Sequence, residues 1–167
     1  VNRNIKQITQ MTEEKYRLST ELELATKIQR GVLPKGYPAF PDYKTFDLFA
    51  SMDPAKEVGG DLYDYHMLDD DHLMITIGDV SGKGIPAALF MMIVKTLLAT
   101  HAKQGLSPSK IFETTNGQLC KNNVMDMFVT CWLGILTLST GELSYVNAGH
   151  PFPVLLRKGN ASFVQSK

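Results

Sequence analysis

The chain has 167 residues, of which 44% are hydrophobic, and this is enough apolar material for one packed domain. Its 17 basic residues balance its 17 acidic residues, so the formal net charge is zero. No broad electrostatic field therefore favours nucleic acid or an anionic membrane surface, and the expected partner is another protein.

The N-terminal segment, residues 1–33, precedes the globular part and predicts a long helix from near Ile5 to Arg30. Mostly apolar positions alternate three and four residues apart over four heptads, without Gly or Pro until Gly31. They are Val1, Asn4, Ile8, Met11, Lys15, Leu18, Leu22, Ala25, Gln29 and Val32. A seam of this length favours pairing with a second helix, and hence a homodimer, in which Lys15 and Gln29 would weaken the pairing and fix its register. The alternative is that the seam packs against its own domain.

A proline-rich joint after Leu33 marks the start of a second unit, residues 34–167. Alternating or apolar runs predict strands at 44–51, 62–68, 73–80, 128–138, 143–148, 153–156 and 162–164. Two helices are predicted between the third and fourth strands, one at 85–103 and one beginning at Pro108. The first is apolar nearly all round, so we expect it to be deeply buried on every side. Strands on both sides of two helices predict an α+β architecture of antiparallel sheets with flanking helices.

Asp69, Asp70 and Asp71 fall between two predicted strands and are typical of a hairpin turn; the alternative is a metal-binding cluster. Cys120 and Cys131 suit a reducing, cytoplasmic compartment better than a disulfide scaffold. No apolar run reaches the roughly 18 residues that a membrane span requires. Because the chain opens at Val1 in mid-helix, we expect it to be a piece of a longer protein, and an upstream sensor or membrane anchor stays open.

Two glycine-rich turns place an acidic residue at apparent strand ends. Asp61 follows Gly59 and Gly60, and Asp79 lies in the segment Gly78-Asp-Val-Ser-Gly82-Lys-Gly84. A carboxylate beside glycine can approach a cation closely, while a neighbouring backbone carbonyl supplies a second oxygen ligand. The paired turns therefore indicate Mg²⁺ or Mn²⁺ chemistry, although tight turning alone also explains the glycines.

Four motifs, in this order, carry a resemblance to a known family. They are Glu57-Val-Gly-Gly-Asp61, Gly78-Asp79-Val-Ser-Gly-Lys-Gly84, Met127-Phe-Val-Thr130 and Asn147-Ala-Gly-His-Pro151. With them, residues 21–157 resemble the SpoIIE/RsbU-type branch of the metal-dependent protein phosphatases (PPM family). The resemblance implies an α/β/β/α sandwich, two divalent cations and hydrolysis of phosphoserine or phosphothreonine on a regulatory protein, such as an anti-sigma-factor antagonist.

The resemblance also implies roles for individual residues. Asp79 would bridge the two cations, the backbone of Val80 would add a ligand, and Asp61 would serve the same centre, meeting Asp79 across neighbouring sheets. A metal-held hydroxide would attack phosphorus without a covalent intermediate. The glycines at the site would be Gly59, Gly60, Gly78 and Gly82. Nearby Asp53 and Asp64 are interpreted as structural.

Lys83 and His150 are candidate substrate-binding residues. Lys83 would contact phosphate, its alternative being a solvated turn lysine, and the segment around it lacks the spacing and the hydroxyl of a P-loop. Imidazole side chains can serve as general acids, so His150 is a candidate for that role, but a His before Pro at a strand turn is more often a structural hydrogen-bonding residue.

The sequence departs from the family in having no Thr-Asp-Gly turn after the last predicted strand. We therefore expect an incomplete metal centre with weak or no turnover from this chain alone. Regulation would come from an upstream sensor through the N-terminal helix. The competing hypothesis is a catalytically silent module that binds a phosphoprotein or oligomerises.

Overall fold

The computed structural model describes residues 2–53, 58–121, 123 and 125–165. A long helix, α1, spans Asn2–Val32. One antiparallel sheet contains, in spatial order, β1 (Asp61–Met67), β2 (His72–Val80), β3 (Val129–Thr137) and β4 (Glu142–Ala148). Between β2 and β3 lie α2 (Ile85–Ala102) and α3 (Pro108–Lys121). A separate hairpin is formed by β5 (Val154–Arg157) and β6 (Asn160–Phe163).

The hydrophobic core lies between one face of the four-stranded sheet and the helices α2 and α3. Because strand side chains alternate between faces, every second residue of β1, β2 and β3 enters this core. Its buried members include Leu62, Met74, Val80, Leu133, Met91, Val94, Leu98 and Ile111. The predicted α+β class with antiparallel strands and flanking helices is confirmed. The described residues contribute one helical layer, one four-stranded sheet and the β5–β6 hairpin to it.

The other face of the sheet is more open. It borders a cavity of about 890 Å³ lined by apolar and aromatic residues of β1, β2 and β3, by the coil at residues 48–53 and by the segment 150–153. Ile77, at the centre of β2, is 48% exposed on this face. The sheet therefore has a fully packed side toward the helices and a side that is only partly covered by the residues that the structure describes.

Helix α2 differs from the expectation that it would be buried on every side. Ile85, Leu89 and Ile93 follow one another at one-turn spacing and are exposed, whereas Lys95 is buried. Over its 18 residues the mean hydropathy is 1.6, so, contrary to the sequence-based expectation, α2 is long and apolar enough to cross a membrane. Its inner face packs on the sheet, which identifies it as a core helix.

Helix α1 forms as predicted and extends slightly beyond the expected limits of 5–30. Its seam divides into two parts. Ile8, Met11 and Leu18 are exposed, whereas Gln29 near the C-terminal end is almost fully buried, with 2% of its surface accessible. The last turns of α1 therefore pack against their own domain, as the alternative interpretation held, and only the earlier turns are free to meet another helix.

The strand predicted at 44–51 is wrong, since the structure shows coil there. Phe40, Tyr43 and Phe46 form an aromatic cluster, and the Phe40 ring lies 5.6 Å from that of Tyr65 on β1. The hydroxyl of Tyr63 donates a hydrogen bond to the Pro34 carbonyl at 2.9 Å. The apolar alternation in this segment thus reflects aromatic packing over β1 and not pairing in the sheet.

The turn between β1 and β2 contains the three aspartates. A carboxylate oxygen of Asp69 accepts hydrogen bonds from the backbone N–H groups of Asp71 and His72, both at 2.8 Å. The carboxylate of Asp71 accepts from the backbone and hydroxyl of Ser139 at 2.7 and 2.6 Å. These contacts confirm the hairpin turn and tie it to the neighbouring β3–β4 turn.

Candidate metal and phosphate site

Asp61 and Asp79 are direct cross-strand partners. Asp61 begins β1, Asp79 lies one residue before the end of β2, and the antiparallel register pairs their Cα atoms. Side chains of directly opposed residues lie on the same face about 5 Å apart at Cβ. The sequence-based expectation that they meet across neighbouring sheets is therefore wrong, because one β-hairpin brings both carboxyl groups together.

Two further polar residues stand at this end of the sheet. Thr130 is the β3 partner of Asp79, and its hydroxyl lies 3.5 Å from the Asp79 carbonyl. The imidazole Nδ1 of His150 is 3.1 Å from the same hydroxyl. His150 is also fixed through its backbone, since its N–H donates to Asn147 Oδ1 and its carbonyl accepts from Asn147 Nδ2, both at 2.8 Å. The motif Asn147–Pro151 thus holds the His150 imidazole against the Thr130 hydroxyl, at the end of the sheet that carries the aspartate pair.

The electrostatics of the pair explain why a cation would be favoured there. Burial raises the pKa of the Asp61 carboxyl above its ordinary value of 3.8, the hydrogen bond and negative charge of Asp79 raise it further, and His150 acts in the opposite direction. The charged form of Asp61 is thus disfavoured by desolvation and by a like charge at short range. A positive ion between the carboxylates would remove this repulsion.

Glycine is required where the backbone closes around the pair. A Cβ at Gly60 would lie 2.8 Å from the Val80 carbonyl oxygen, and a Cβ at Gly78 would lie 2.9 Å from the Thr130 carbonyl oxygen. Gly82 has φ of +90°, a conformation that L side chains rarely adopt. The Val80 carbonyl therefore lies directly beside the turn that carries Asp61, while the Val80 side chain is buried in the core.

Asp61 and Asp79 lie where two cavities meet. One is the large cavity on the open sheet face, which His150 also lines. The other, of about 340 Å³, is a cleft between the two glycine turns, and Lys83 and Phe128 line it. Gly59, Gly60, Gly82 and Gly84 contribute to the same cleft. Lys83 is exposed, so its ammonium group is available to an anion entering the cleft.

The donor set fits a hard divalent cation, since carboxylate and carbonyl oxygens are the ligands that Mg²⁺ and Mn²⁺ prefer. In the described part of the chain, however, no group of three or more His, Cys, Asp or Glu side chains gathers at one place. Glu57, which belongs to the first motif, lies outside the described residues. The candidate ligands among the described residues are therefore two carboxylates and the adjacent Val80 backbone carbonyl.

Two residues of this region were given no role at the site by the sequence, although Gln29 was predicted to fix the register of the N-terminal seam. Gln29 of α1 forms a pair of hydrogen bonds with Gly59, its Nε2 donating to the carbonyl at 2.5 Å and its Oε1 accepting from the N–H at 3.1 Å. Thr130 closes one of the four motifs, which is the signal that could have placed it at the site. Asp64, by contrast, is structural as expected, because it pairs with Lys95 on the helix side of the sheet.

The site therefore lies in an α+β domain of antiparallel strands, in which one β-hairpin presents a pair of opposed aspartates. The family described as "Stage II sporulation protein E (SpoIIE)" matches residues 69–167. The chain belongs to this family, in the SpoIIE/RsbU branch of the metal-dependent protein phosphatases.

Curated relatives agree with this assignment. The chain is 31% identical over 133 residues to "Phosphoserine phosphatase RsbU" of Bacillus subtilis, covering 80% of this chain and 38% of that protein. It is 33% identical over 144 residues to "Phosphoserine phosphatase RsbP" of the same organism, covering 83% and 35%. "Protein IcfG" of Synechocystis is 34% identical over 157 residues, covering 78% and 24%. The chain thus spans well under half the length of these relatives.

Solved structures show the same fold. The RsbU and RsbW domains of a Mycobacterium tuberculosis protein match with a TM-score of 0.60 at 30% identity, over 70% of this chain and 32% of that one. The SiaA-PP2C domain of Pseudomonas aeruginosa matches with a TM-score of 0.67 at 23% identity, over 82% and 55%. The second match, at its lower identity, supports the fold alone.

Proposed function

We propose that the chain is the catalytic module of a metal-dependent protein phosphatase that hydrolyses phosphoserine or phosphothreonine on a regulatory protein. The observation that carries the proposal is the in-register pair Asp61 and Asp79, enclosed by glycine turns that leave a cleft for a phosphoryl group. Two relatives of this chain are named phosphoserine phosphatases, which supports the same reaction class.

Asp61, Asp79 and the Val80 carbonyl would hold two divalent cations, Mn²⁺ or Mg²⁺. Such a metal pair supplies a hydroxide nucleophile at neutral pH and positive charge against the phosphoryl oxygens. The protein's own contribution is to fix the two carboxylates by strand pairing and to keep the turn backbone close through Gly60 and Gly78. Preorganised ligands of this kind need no rearrangement when the substrate arrives.

Lys83 and His150 would act on the substrate from opposite sides of the aspartate pair. Lys83 stands on the cleft rim, where its charge would orient the phosphate. His150 is held by Asn147 and Thr130 and would contact the serine or threonine oxygen that leaves phosphorus. A fixed donor near that oxygen favours bond cleavage because it stabilises the negative charge that develops there.

The substrate protein would resemble an anti-sigma-factor antagonist. In the related Mycobacterium tuberculosis structure, an RsbU domain and an RsbW domain belong to a single protein. The RsbU domain of that protein therefore has a second protein domain beside it in the same chain. The neutral overall charge of the present chain agrees with recognition by local contacts rather than by a broad field.

Regulation would pass through the end of α1. Gln29 is almost fully buried and binds both backbone groups of Gly59, two residues before Asp61. A movement of α1 driven by an upstream sensor would therefore shift the turn that positions Asp61. Gln29→Leu keeps the side-chain volume but removes both hydrogen bonds, so it should change Mn²⁺ affinity and turnover without unfolding the domain. An unchanged Mn²⁺ titration in this variant would contradict the coupling.

Asp79→Asn tests the enzymatic proposal. The substitution keeps the shape of the side chain but removes one charge from the pair that would hold the cations. Metal-dependent turnover of a phosphoserine peptide should therefore fall by about 10² or more, at least the loss caused by changing a residue that only supports a metal ligand. Asp70→Asn, at the distant hairpin turn, is the matched control and should retain activity. Equal activity of Asp79→Asn and the wild type would refute a metal-dependent phosphatase built on this residue.

A silent phosphoprotein-binding or oligomerisation module is the second candidate, and it is favoured by the small number of carboxylates gathered at the described site. Two carboxylates are few for a pair of divalent cations, so we expect Mn²⁺ to bind weakly and turnover to be slow. A silent module would bind a phosphoserine protein with the same affinity in the wild type and in Asp79→Asn, and would release no phosphate with either.

A further inference from the structure

Phe128 is a large apolar residue that remains exposed at the edge of the cleft between the two glycine turns. It is 65% exposed and lines the cleft together with Asp61, Asp79 and Lys83. It stands one residue ahead of β3 and two residues before Thr130, and both residues line this cleft. Phe128 is the one aromatic residue in the described lining of this cleft, which otherwise consists of the two aspartates, Lys83, the turn glycines, Val58, Val80, Ser81 and Thr130.

The backbone of Phe128 is held firmly although its side chain is free. The N–H of Ser81 donates to the Phe128 carbonyl at 2.8 Å, and the N–H of Phe128 donates to the Ser81 hydroxyl at 2.9 Å. Ahead of it, the side chain of Asn123 donates to the Met127 carbonyl at 2.7 Å and accepts from the Met127 N–H at 2.9 Å. Met127 itself packs on the core.

This arrangement ties the ring to the turn that carries Asp79. Ser81 is two residues after Asp79, so a substrate atom placed at the aspartate pair has a fixed relation to Phe128. An exposed aromatic residue on a fixed backbone loses little conformational entropy when it is covered, and covering it removes apolar surface from water. These are the properties of a contact that selects a neighbouring residue of the substrate.

We propose that Phe128 is a specificity-determining residue that selects phosphorylated segments with an apolar side chain next to the phosphoserine or phosphothreonine. The phosphoryl group occupies the end of the cleft at Asp61 and Asp79, and the flanking apolar side chain packs on the Phe128 ring. The inference rests on the proposed phosphatase function and adds to it the chemical class of the substrate segment.

The test compares two phosphoserine peptides that differ only in the residue flanking the phosphoserine, Leu in one and Ser in the other. With Mn²⁺ present, the wild type should hydrolyse the Leu peptide with a kcat/KM about tenfold higher, the change expected for one aliphatic contact in an apolar site. Phe128→Ala should bring the ratio of the two kcat/KM values close to one, and Phe128→Leu should retain most of the preference.

Met125→Ala is the matched control. Met125 is 67% exposed and lies in the same connection before β3, but it does not line the cleft, so its removal should leave the peptide ratio unchanged. A ratio that is the same in the wild type and in Phe128→Ala, with hydrolysis intact, would overturn this inference and leave the phosphatase proposal standing. Hydrolysis of neither peptide by the wild type, at an Mn²⁺ concentration shown by titration to saturate the protein, would overturn both.

Discussion

The carboxyl group of Asp61 lies where its charged form is disfavoured. Its pKa is raised by burial and by the neighbouring Asp79, so the folded state binds this proton more tightly than the unfolded chain does. For a raised pKa, the contribution to stability is present at low pH and is lost as pH rises from the ordinary value of 3.8 through the raised value. At neutral pH the metal-free fold therefore carries an electrostatic penalty at this pair.

Asp61→Asn should consequently increase the thermal stability of the metal-free protein at pH 7. The gain should shrink toward acid pH, where the wild-type carboxyl is protonated, and Mn²⁺ should stabilise the wild type more than the variant. Thermal melts with and without Mn²⁺ at several pH values measure this. Asp42→Asn, an exposed aspartate outside the site, is the control, and a lower melting temperature for metal-free Asp61→Asn at pH 7 would contradict the prediction.

The site residues differ in how far the sequence could place them. Asp61 and Asp79 were predictable because glycine beside aspartate at a strand end is a local pattern. Gln29 was not, since its partner Gly59 is 30 residues away. The sequence pattern of the helix is the same whether Gln29 packs against a second helix or against a turn of its own domain. Thr130 and Phe128 belonged to a motif, but their roles depend on the register of β3 with β2.

At the scale of elements, β1 and α2 are joined by a buried ion pair. Asp64 is 1% exposed, and its carboxylate accepts from Lys95 Nζ at 2.9 Å and contacts His66 Nε2 at 2.7 Å. Removing one partner of a buried pair leaves an uncompensated charge, whereas replacing both partners by apolar residues costs much less. The pair is therefore expected to fix how α2 lies on the sheet.

Lys95→Met should lower the free energy of unfolding by about 3 kcal/mol, at the low end for a broken buried pair because His66 still contacts the carboxylate. The double variant Asp64→Leu with Lys95→Met should recover much of the loss. Urea denaturation of both variants measures the difference. A double variant as unstable as the sum of its single substitutions would show that the two side chains do not interact energetically.

The two turns opposite the site are joined by Asp71. Hydrogen bonds from the Ser139 hydroxyl and backbone lower the pKa of the Asp71 carboxyl below its ordinary value of 3.8. For a lowered pKa, the stabilisation is present above the unfolded value and is lost as pH falls through the folded value. Asp71→Asn should thus lower the melting temperature at pH 7, and the difference should vanish in strong acid. Asp70→Asn, next in the turn, is the matched control.

Secondary structure was predictable where one physical signal dominated. The helices followed from apolar periodicity with Pro86 and Pro108 in their first turns, and the strands of the main sheet followed from alternation. The segment 44–51 failed because alternation records only which side chains are buried. There the aromatic residues are covered by one another and by Tyr65, without any backbone pairing.

At the scale of the whole molecule, α1 has two different environments. Its C-terminal turns are packed on the domain through Gln29, whereas its earlier turns expose an apolar seam that includes Ile8, Met11 and Leu18. Exposed apolar stripes at heptad spacing are stabilised by a partner helix. The proposed regulation and the proposed homodimer would therefore use separate parts of one helix.

Met11→Glu combined with Leu18→Glu should convert the proposed dimer to a monomer, because like charges at facing seam positions repel. Sedimentation velocity measures the association state. Replacing Glu13 and Glu23, which lie on the outer face of the helix away from the seam and its flanking positions, by Gln is the control and should leave the dimer intact. A wild type that sediments as a monomer at high concentration would contradict dimerisation through α1.

The register of the β1–β2 hairpin has a consequence for how this site tolerates insertions and deletions. Asp61 and Asp79 are opposed because each lies equally far from the tip at Asp70. The lengths of the two hairpin arms therefore determine which residues face each other. One extra residue in a single arm would send one carboxylate through the sheet toward α2. Two residues added to each arm would move the pair farther from the hairpin tip but leave the two carboxylates opposed on the same face. Variation in hairpin length is therefore expected to come in matched even steps.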